Sequence, residues 1–165
     1  MTALSAGTVA PKFSLPMVDS GSFSLPEALQ RGPVLLAFFK ISCPVCQFAL
    51  PFVERLYQAY GRAEFTVAGV SQDGREDTQA FMRKFGITFP VLLDELSSYP
   101  VSNAYGLTNV PTLFWIAQDG EIQLSTVGWL RSDMEQLNRE MAQRASARAL
   151  PLFRPDERVP DFKAG

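Results

Sequence analysis

Six consecutive apolar residues, Val34 to Phe39, are fenced by Pro33 on one side and by the Ser42-Cys43-Pro44 turn on the other. So short a run between breakers is too short for a helix and reads as a buried central strand. From Val45 to Tyr60 the period changes. Val45, Phe48, Ala49, Phe52, Val53 and Leu56 recur at helical spacing, and Gly61 supplies the stop. Pro51 falls inside this helix, where it removes a backbone bond and bends the axis. A buried strand that passes at once into a bent amphipathic helix points to an α/β fold.

The rest of the chain keeps up the alternation. Residues 65–70 read as a second buried strand, and residues 75–85 as a helix with Phe81 and Phe85 inward and Gly86 after its last turn. Val91 to Leu93 is a short strand, followed by a brief helix near 99–105 that ends at Gly106. Strands at 112–116 and 122–126 join around Asp119-Gly120, a pair that tight hairpins prefer. Ser132 and Glu135 have the spacing of a capping box and predict a final helix to about Ala149, with Met134, Leu137, Met141 and Ala145 inward. Ahead of the first strand, residues 1–12 read as an extended, weakly structured arm. Phe13, Leu15, Phe23 and Leu25 flank a turn at Asp19 to Gly21, and Pro26 to Gln30 form one helical turn. Residues 151–165 carry three prolines and mixed charge, an extended tail read as a surface strap or dimer contact. The expected organisation is one domain over 1–150 with a tail over 151–165. The central sheet has a parallel first crossover and an antiparallel hairpin at one edge.

Composition narrows the function. With 165 residues, 47% of them hydrophobic and thirteen Phe, the chain can close one core without a disulfide or metal staple. The net charge is −2 and the basic residues are scattered, so nucleic acid is not an expected partner. No apolar run approaches the ~20 residues that span a bilayer. The first residues lack the basic and apolar regions of a signal peptide, so the expected location is cytoplasmic. Oligomeric state stays open. The chain contains no His, which excludes Ser–His–Asp and Cys–His catalysis, haem ligation by His and nearly every zinc enzyme site.

The only cysteines are Cys43 and Cys46. A C-x-x-C pair serves a metal or a reversible disulfide, unless both thiols are simply buried and inert. Zinc normally takes four ligands, so a metal would need carboxylates or a second chain to complete the set. Placement at a strand-to-helix junction favours dithiol chemistry. Pro44 fits the first helical position, where its missing N–H costs nothing. Cys43 then sits at the helix N-terminus, where free N–H groups and the dipole stabilise a thiolate and lower a thiol pKa from ~8.5 into the range ~3.5–7.5. Cys43 is therefore expected to attack and Cys46, one turn further in, to resolve. Lys40 either adds positive potential to the site or is an ordinary solvated lysine at a strand end.

With C-x-x-C between a buried strand and a Pro-bent helix, the sequence resembles the thioredoxin-like superfamily over residues 7 to about 145. Gly7, Ala10-Pro11 and Phe13 look like the opening of its redoxin branch, and VLLAFFKISCPVC like its active-site strand and motif. FGITFPVLLDE resembles that branch's insertion, and Ala104-Tyr105-Gly106 leading to Val110-Pro111-Thr112 is similar to its Y-G-v…v-P-T segment. The resemblance implies a central mixed β-sheet flanked by helices, with an N-terminal extension and a redoxin-type insertion. It also implies a cis Val110–Pro111 bond facing the dithiol, with Ser42, Pro44, Val110 and Pro111 contacting substrate and the Val110 backbone pairing with an extended chain. Three positions depart from the pattern. Ser42 replaces the usual aromatic before the first Cys. Ala37 and Ala49 stand where relatives carry a carboxylate that moves the proton of the second Cys.

The expected function is a thiol–disulfide oxidoreductase without cofactor or metal, reducing disulfides in protein partners and recharged by an external dithiol. The alternative is a thiol peroxidase, an antioxidant in which Cys43 passes through a sulfenic acid. The peroxiredoxin pattern of Pro and Thr or Ser, seven and three residues before the Cys, is absent: Leu36 and Lys40 stand there. A third possibility is a non-enzymatic binding module or a metal carrier.

Overall fold

The computed structural model describes residues 2–61 and 64–165. A small antiparallel hairpin, β1 (Ser14–Pro16) and β2 (Ser22–Ser24), leads into α1 (Leu25–Arg31) and the central strand β3 (Val34–Phe39). Then follow α2 (Pro44–Tyr60), β4 (Thr66–Ser71), α3 (Arg75–Phe85), β5 (Val91–Leu93) and α4 (Pro100–Ala104). The chain continues through β6 (Thr112–Ile116), β7 (Ile122–Val127), β8 (Trp129–Leu130), α5 (Arg131–Arg144) and β9 (Phe162–Lys163).

Five strands form the main sheet in the order β5-β4-β3-β6-β7. β3, β4 and β5 run parallel, while β6 is antiparallel to β3 and β7 to β6. Every residue of β3 is buried, which explains its unbroken apolar run: helices cover both sheet faces. Leu35, Ala37 and Phe39 face the layer of α2, α3 and α5, whereas Val34, Leu36 and Phe38 face α1, α4 and the N-terminal arm. This is the mixed, helix-flanked sheet that the thioredoxin-like resemblance implies.

Four expectations need correction. Residues 2–12 are docked rather than weakly structured, and residue 1 lies outside the described residues. Gly7 N–H donates to the Ile122 carbonyl at 2.8 Å, and Ala10 N–H to that of Gly120 at 2.8 Å. At the other edge Val18 N–H reaches the Val91 carbonyl at 2.8 Å, so the segment ahead of α1 covers both free edges of the sheet. The β6–β7 connection is wider than a two-residue turn. It closes between Ala117 and Glu121, with Gly120 at φ +93°.

The capping box at Ser132 and Glu135 does not form. α5 starts two residues earlier than a cap at Ser132 would set it, after Leu130, with no side-chain cap, and Glu135 instead accepts from Arg131 Nε at 2.9 Å. The helix also stops at Arg144 rather than Ala149. Ala147 N–H closes on the Ala142 carbonyl at 2.9 Å and Ser146 takes φ +52°, turning the chain toward α2, where Leu150 N–H meets Tyr60 Oη at 2.9 Å.

The tail is a strap. Leu152 is buried, β9 pairs antiparallel with β8, and Trp129 Nε1 donates to the Pro160 carbonyl at 2.8 Å. Arg55 of α2 holds Glu157 through two bonds of 2.7 and 2.6 Å.

Candidate active site

The site lies at the carboxyl ends of β3 and β4, where parallel strands of α/β sheets open toward their ligands. The loop leaving β3 is pinned from three sides. Ile41 N–H donates to Asp73 Oδ2 at 2.8 Å, Gln47 Nε2 to the Ile41 carbonyl at 2.9 Å, and Cys43 N–H to the Lys40 carbonyl at 3.3 Å. This fixes Cys43 as the N-cap residue of α2, with Pro44 in the first turn, as the sequence predicts.

Cys43 Sγ accepts from Cys46 N–H at 3.2 Å and lies 3.4 Å from the Val110 carbonyl, within donating distance. The first contact is one a thiolate keeps, because it supplies a proton from the helix terminus. The second is open only to the thiol. Cys43 is half-buried, whereas Cys46 is wholly buried beneath the first turn, and both sulfurs are free thiols. Burial pushes the Cys46 thiol well above its ordinary range; a backbone bond at Lys40 pulls the other way, and Cys43 and the Asp73 charge add to the rise. In this state Cys46 holds its proton through neutral pH.

The Val110–Pro111 bond is cis. Thr112 Oγ1 donates to the Asn109 carbonyl at 2.8 Å and anchors this loop beside Cys43. Ser42 and Pro44 are exposed next to the sulfur, Val110 is half-buried and Pro111 is buried. Lys40 stands with its ammonium 5.6 Å above the Tyr99 ring centroid and lines the cleft in front of Cys43. That cleft encloses about 340 Å³, with Gln72, Thr108, Asn109 and Gly165 among its other walls. Ala37 and Ala49 are buried and bring no carboxylate to Cys46, as the departures from the redoxin pattern imply. Among the described residues no three His, Cys, Asp or Glu side chains gather to hold a metal ion.

Sequence reasoning missed Gln72, Asp73, Asn109 and Gly165. Gln72 and Asp73 carried a usable signal, because polar residues directly after a buried strand sit at the open end of the sheet. Gln72 is steadied in turn: its Nε2 donates to Ser102 Oγ at 3.0 Å, and that hydroxyl donates to the buried Asp94 carboxylate at 2.7 Å. Nothing local in the sequence places Gly165 at the cleft.

Comparison with known proteins adds four similarities. The profile of the AhpC/TSA family matches residues 6–125. The thiol-disulfide oxidoreductase ResA of Halalkalibacterium halodurans is 32% identical over 130 residues, 78% of this chain and 72% of that protein. A crystal structure of a Chlorobium tepidum protein assigned as the thiol:disulfide interchange protein DsbE superposes with a TM-score of 0.75 at 26% identity, covering 87% of this chain and 99% of the other. At 22% identity the thioredoxin domain of a Bacteroides vulgatus thiol-disulfide oxidoreductase shares the fold, with a TM-score of 0.74 over 84% of this chain and 98% of the other.

Proposed function

The chain belongs to the AhpC/TSA family and is a thiol–disulfide oxidoreductase, and we propose that Cys43 and Cys46 carry its reaction on disulfides of protein partners. The observation that supports this most directly is the Cys43 sulfur, held at the start of α2 against the Cys46 N–H and in reach of the Val110 carbonyl. As a thiolate, Cys43 attacks one sulfur of the partner's disulfide. An S–S bond forms to Cys43, and the partner's other sulfur leaves with the bonding pair and takes up a proton. Cys46 then loses its proton and attacks Cys43 Sγ. The intramolecular disulfide closes and the second partner thiol is released, two electrons having passed to the partner. An external dithiol restores the pair. Burial beneath the first turn of α2 is the main cause that keeps the resolving proton on Cys46, and the Asp73 charge acts in the same direction as a smaller contribution.

The proposal includes the compartment. In a reducing compartment the pair rests as dithiol and works as a reductant. Exposed Ser42 and Pro44 give a partner room to approach.

The test compares loss of free thiols to hydrogen peroxide with loss to a model disulfide, and adds mass spectrometry of Cys46→Ser after mixing with a disulfide-bonded protein. Fast exchange that vanishes in Cys43→Ser, slow peroxide loss and a mixed disulfide trapped on Cys43 are expected. Trapping on Cys46 in Cys43→Ser would reverse the two roles. Rapid peroxide loss with sluggish exchange would replace the reading by a peroxidase.

A further inference from the structure

The strap does not end on the back of the molecule. After Pro160 it crosses β8, with Lys163 opposite Trp129 and Phe162 opposite Leu130, and Arg131 N–H donating to the Asp161 carbonyl at 2.9 Å. It then arrives at the reactive cleft. A Cβ placed on Gly165 would stand 2.6 Å from the Val110 carbonyl oxygen, so backbone lies directly against backbone there. Asn109 Nδ2 donates to the Gly165 carbonyl at 3.1 Å from the same loop. Behind it, Gly128 at φ +75° lets the strap approach, since a Cβ at that position would meet the Lys163 carbonyl at 2.5 Å. Three separate contacts therefore fit residues 161–165 to this place, and the family profile ends well before them, at residue 125.

Val110 supplies the backbone carbonyl in contact with Cys43 Sγ, at 3.4 Å. A polypeptide whose disulfide reaches that sulfur in extended form has to run along this loop, where main-chain pairing would hold it. On one side the course is already taken by Gly165. The open side is the cleft lined by Lys40, Gln72 and Thr108, where Lys40 is the one cationic side chain.

We propose that residues 161–165 form a specificity wall, so that the site favours a disulfide presented on a chain end or a slender loop, entering past Lys40, over one within a long extended strand. This rests on the dithiol reading of Cys43 and Cys46.

The experiment uses two mixed disulfides with thionitrobenzoate. One carries free cysteine and the other a peptide of about ten residues with a central cysteine, roughly 33 Å long when extended. In each, Cys43 takes the cysteine sulfur, thionitrobenzoate leaves as the coloured thiolate, and Cys46 releases the cysteine or peptide thiol as the internal disulfide closes. The second-order rates are measured for the reduced protein, for a chain stopped after Pro160 and for Gly165→Val. The shortened chain keeps the Arg55–Glu157 and Trp129–Pro160 contacts, and Gly165→Val changes only the last contact. The expected result is a peptide-to-cysteine rate ratio about tenfold higher in the shortened chain, equivalent to about 1.4 kcal/mol, with a smaller rise in Gly165→Val. An equal ratio in all three proteins overturns the wall while leaving the dithiol reading intact. Absence of Cys43-dependent colour with both probes in the unaltered protein overturns the dithiol reading, and the wall with it.

Discussion

The central sheet and the strap are attached to the same molecule by different physics. β3 is buried on both faces, in register with six residues of β4 and five of β6, and the Phe38 ring packs 5.4 Å from Tyr105 and 5.8 Å from Phe114. Such burial is non-directional and spread over many contacts, so no single polar group decides it. Between residues 151 and 165 only Leu152 is buried, with Phe153 and Val159 packed half-buried against the core; the remainder hangs on discrete latches. These are the Arg55–Glu157 pair, the Trp129–Pro160 bond and a two-residue strand pairing. A core held by area yields only to a loss of volume, whereas a strap held by latches can open one contact at a time.

The contrast is sharpest where volume is removed. Phe38→Ala should lower the free energy of unfolding by roughly 3–5 kcal/mol, read from urea melts. Leu152→Ala should cost no more than about 2 kcal/mol, because the strap can part from a core that stays folded. A loss as large as that of Phe38→Ala would make strap and sheet one cooperative unit and end the comparison. Glu157→Gln should leave the urea midpoint of the core unmoved while speeding amide exchange at Phe162 and Lys163, the strand fastened beyond the latch. Unchanged exchange there would show that β9 holds by itself.

Acid gives the smallest effect and separates the regions by pH. Arg55 first, then the Arg154 N–H, holds the Glu157 carboxyl below its ordinary value of 4.5, at about 2. Because the folded value is the lower one, its contribution is complete above the ordinary carboxylate range and fades as pH falls through about 2. Protection of the β9 amides, taken relative to their intrinsic exchange rate at each pH, should therefore fall across that interval in the unaltered chain and stay flat in Glu157→Gln.

What the sequence disclosed follows the same division. The β3–α2 junction, the N-cap place of Cys43 and the left-handed Gly86 after α3 all depend on neighbours within a turn or two, so periodicity and breakers suffice to find them. The strap depends on partners far away. Arg55 and Glu157 are 102 positions apart, and no local pattern in a proline-bearing tail announces that pairing. The failed capping box has the same cause. Ser132 and Glu135 had the right spacing, but Arg131 at the helix start takes both the Asp161 carbonyl from the strap and the Glu135 carboxylate. Asp73 lay in view as a polar residue after β4; its bond to Ile41, 32 positions away, was visible only in three dimensions.

The chain has two tryptophans, and the fold assigns one to each region. Trp115 belongs to β6, beside Leu35 and edge-on to Phe65, and changes surroundings only if the sheet comes apart. Trp129 lies under the strap, its ring against Phe48, Phe52 and Phe153 and its Nε1 on Pro160. Lifting the strap would bring water to that indole and leave the other dry. A Trp115→Phe protein would thus emit from the strap alone, turning its attachment into a colour that can be followed in real time while the dithiol works.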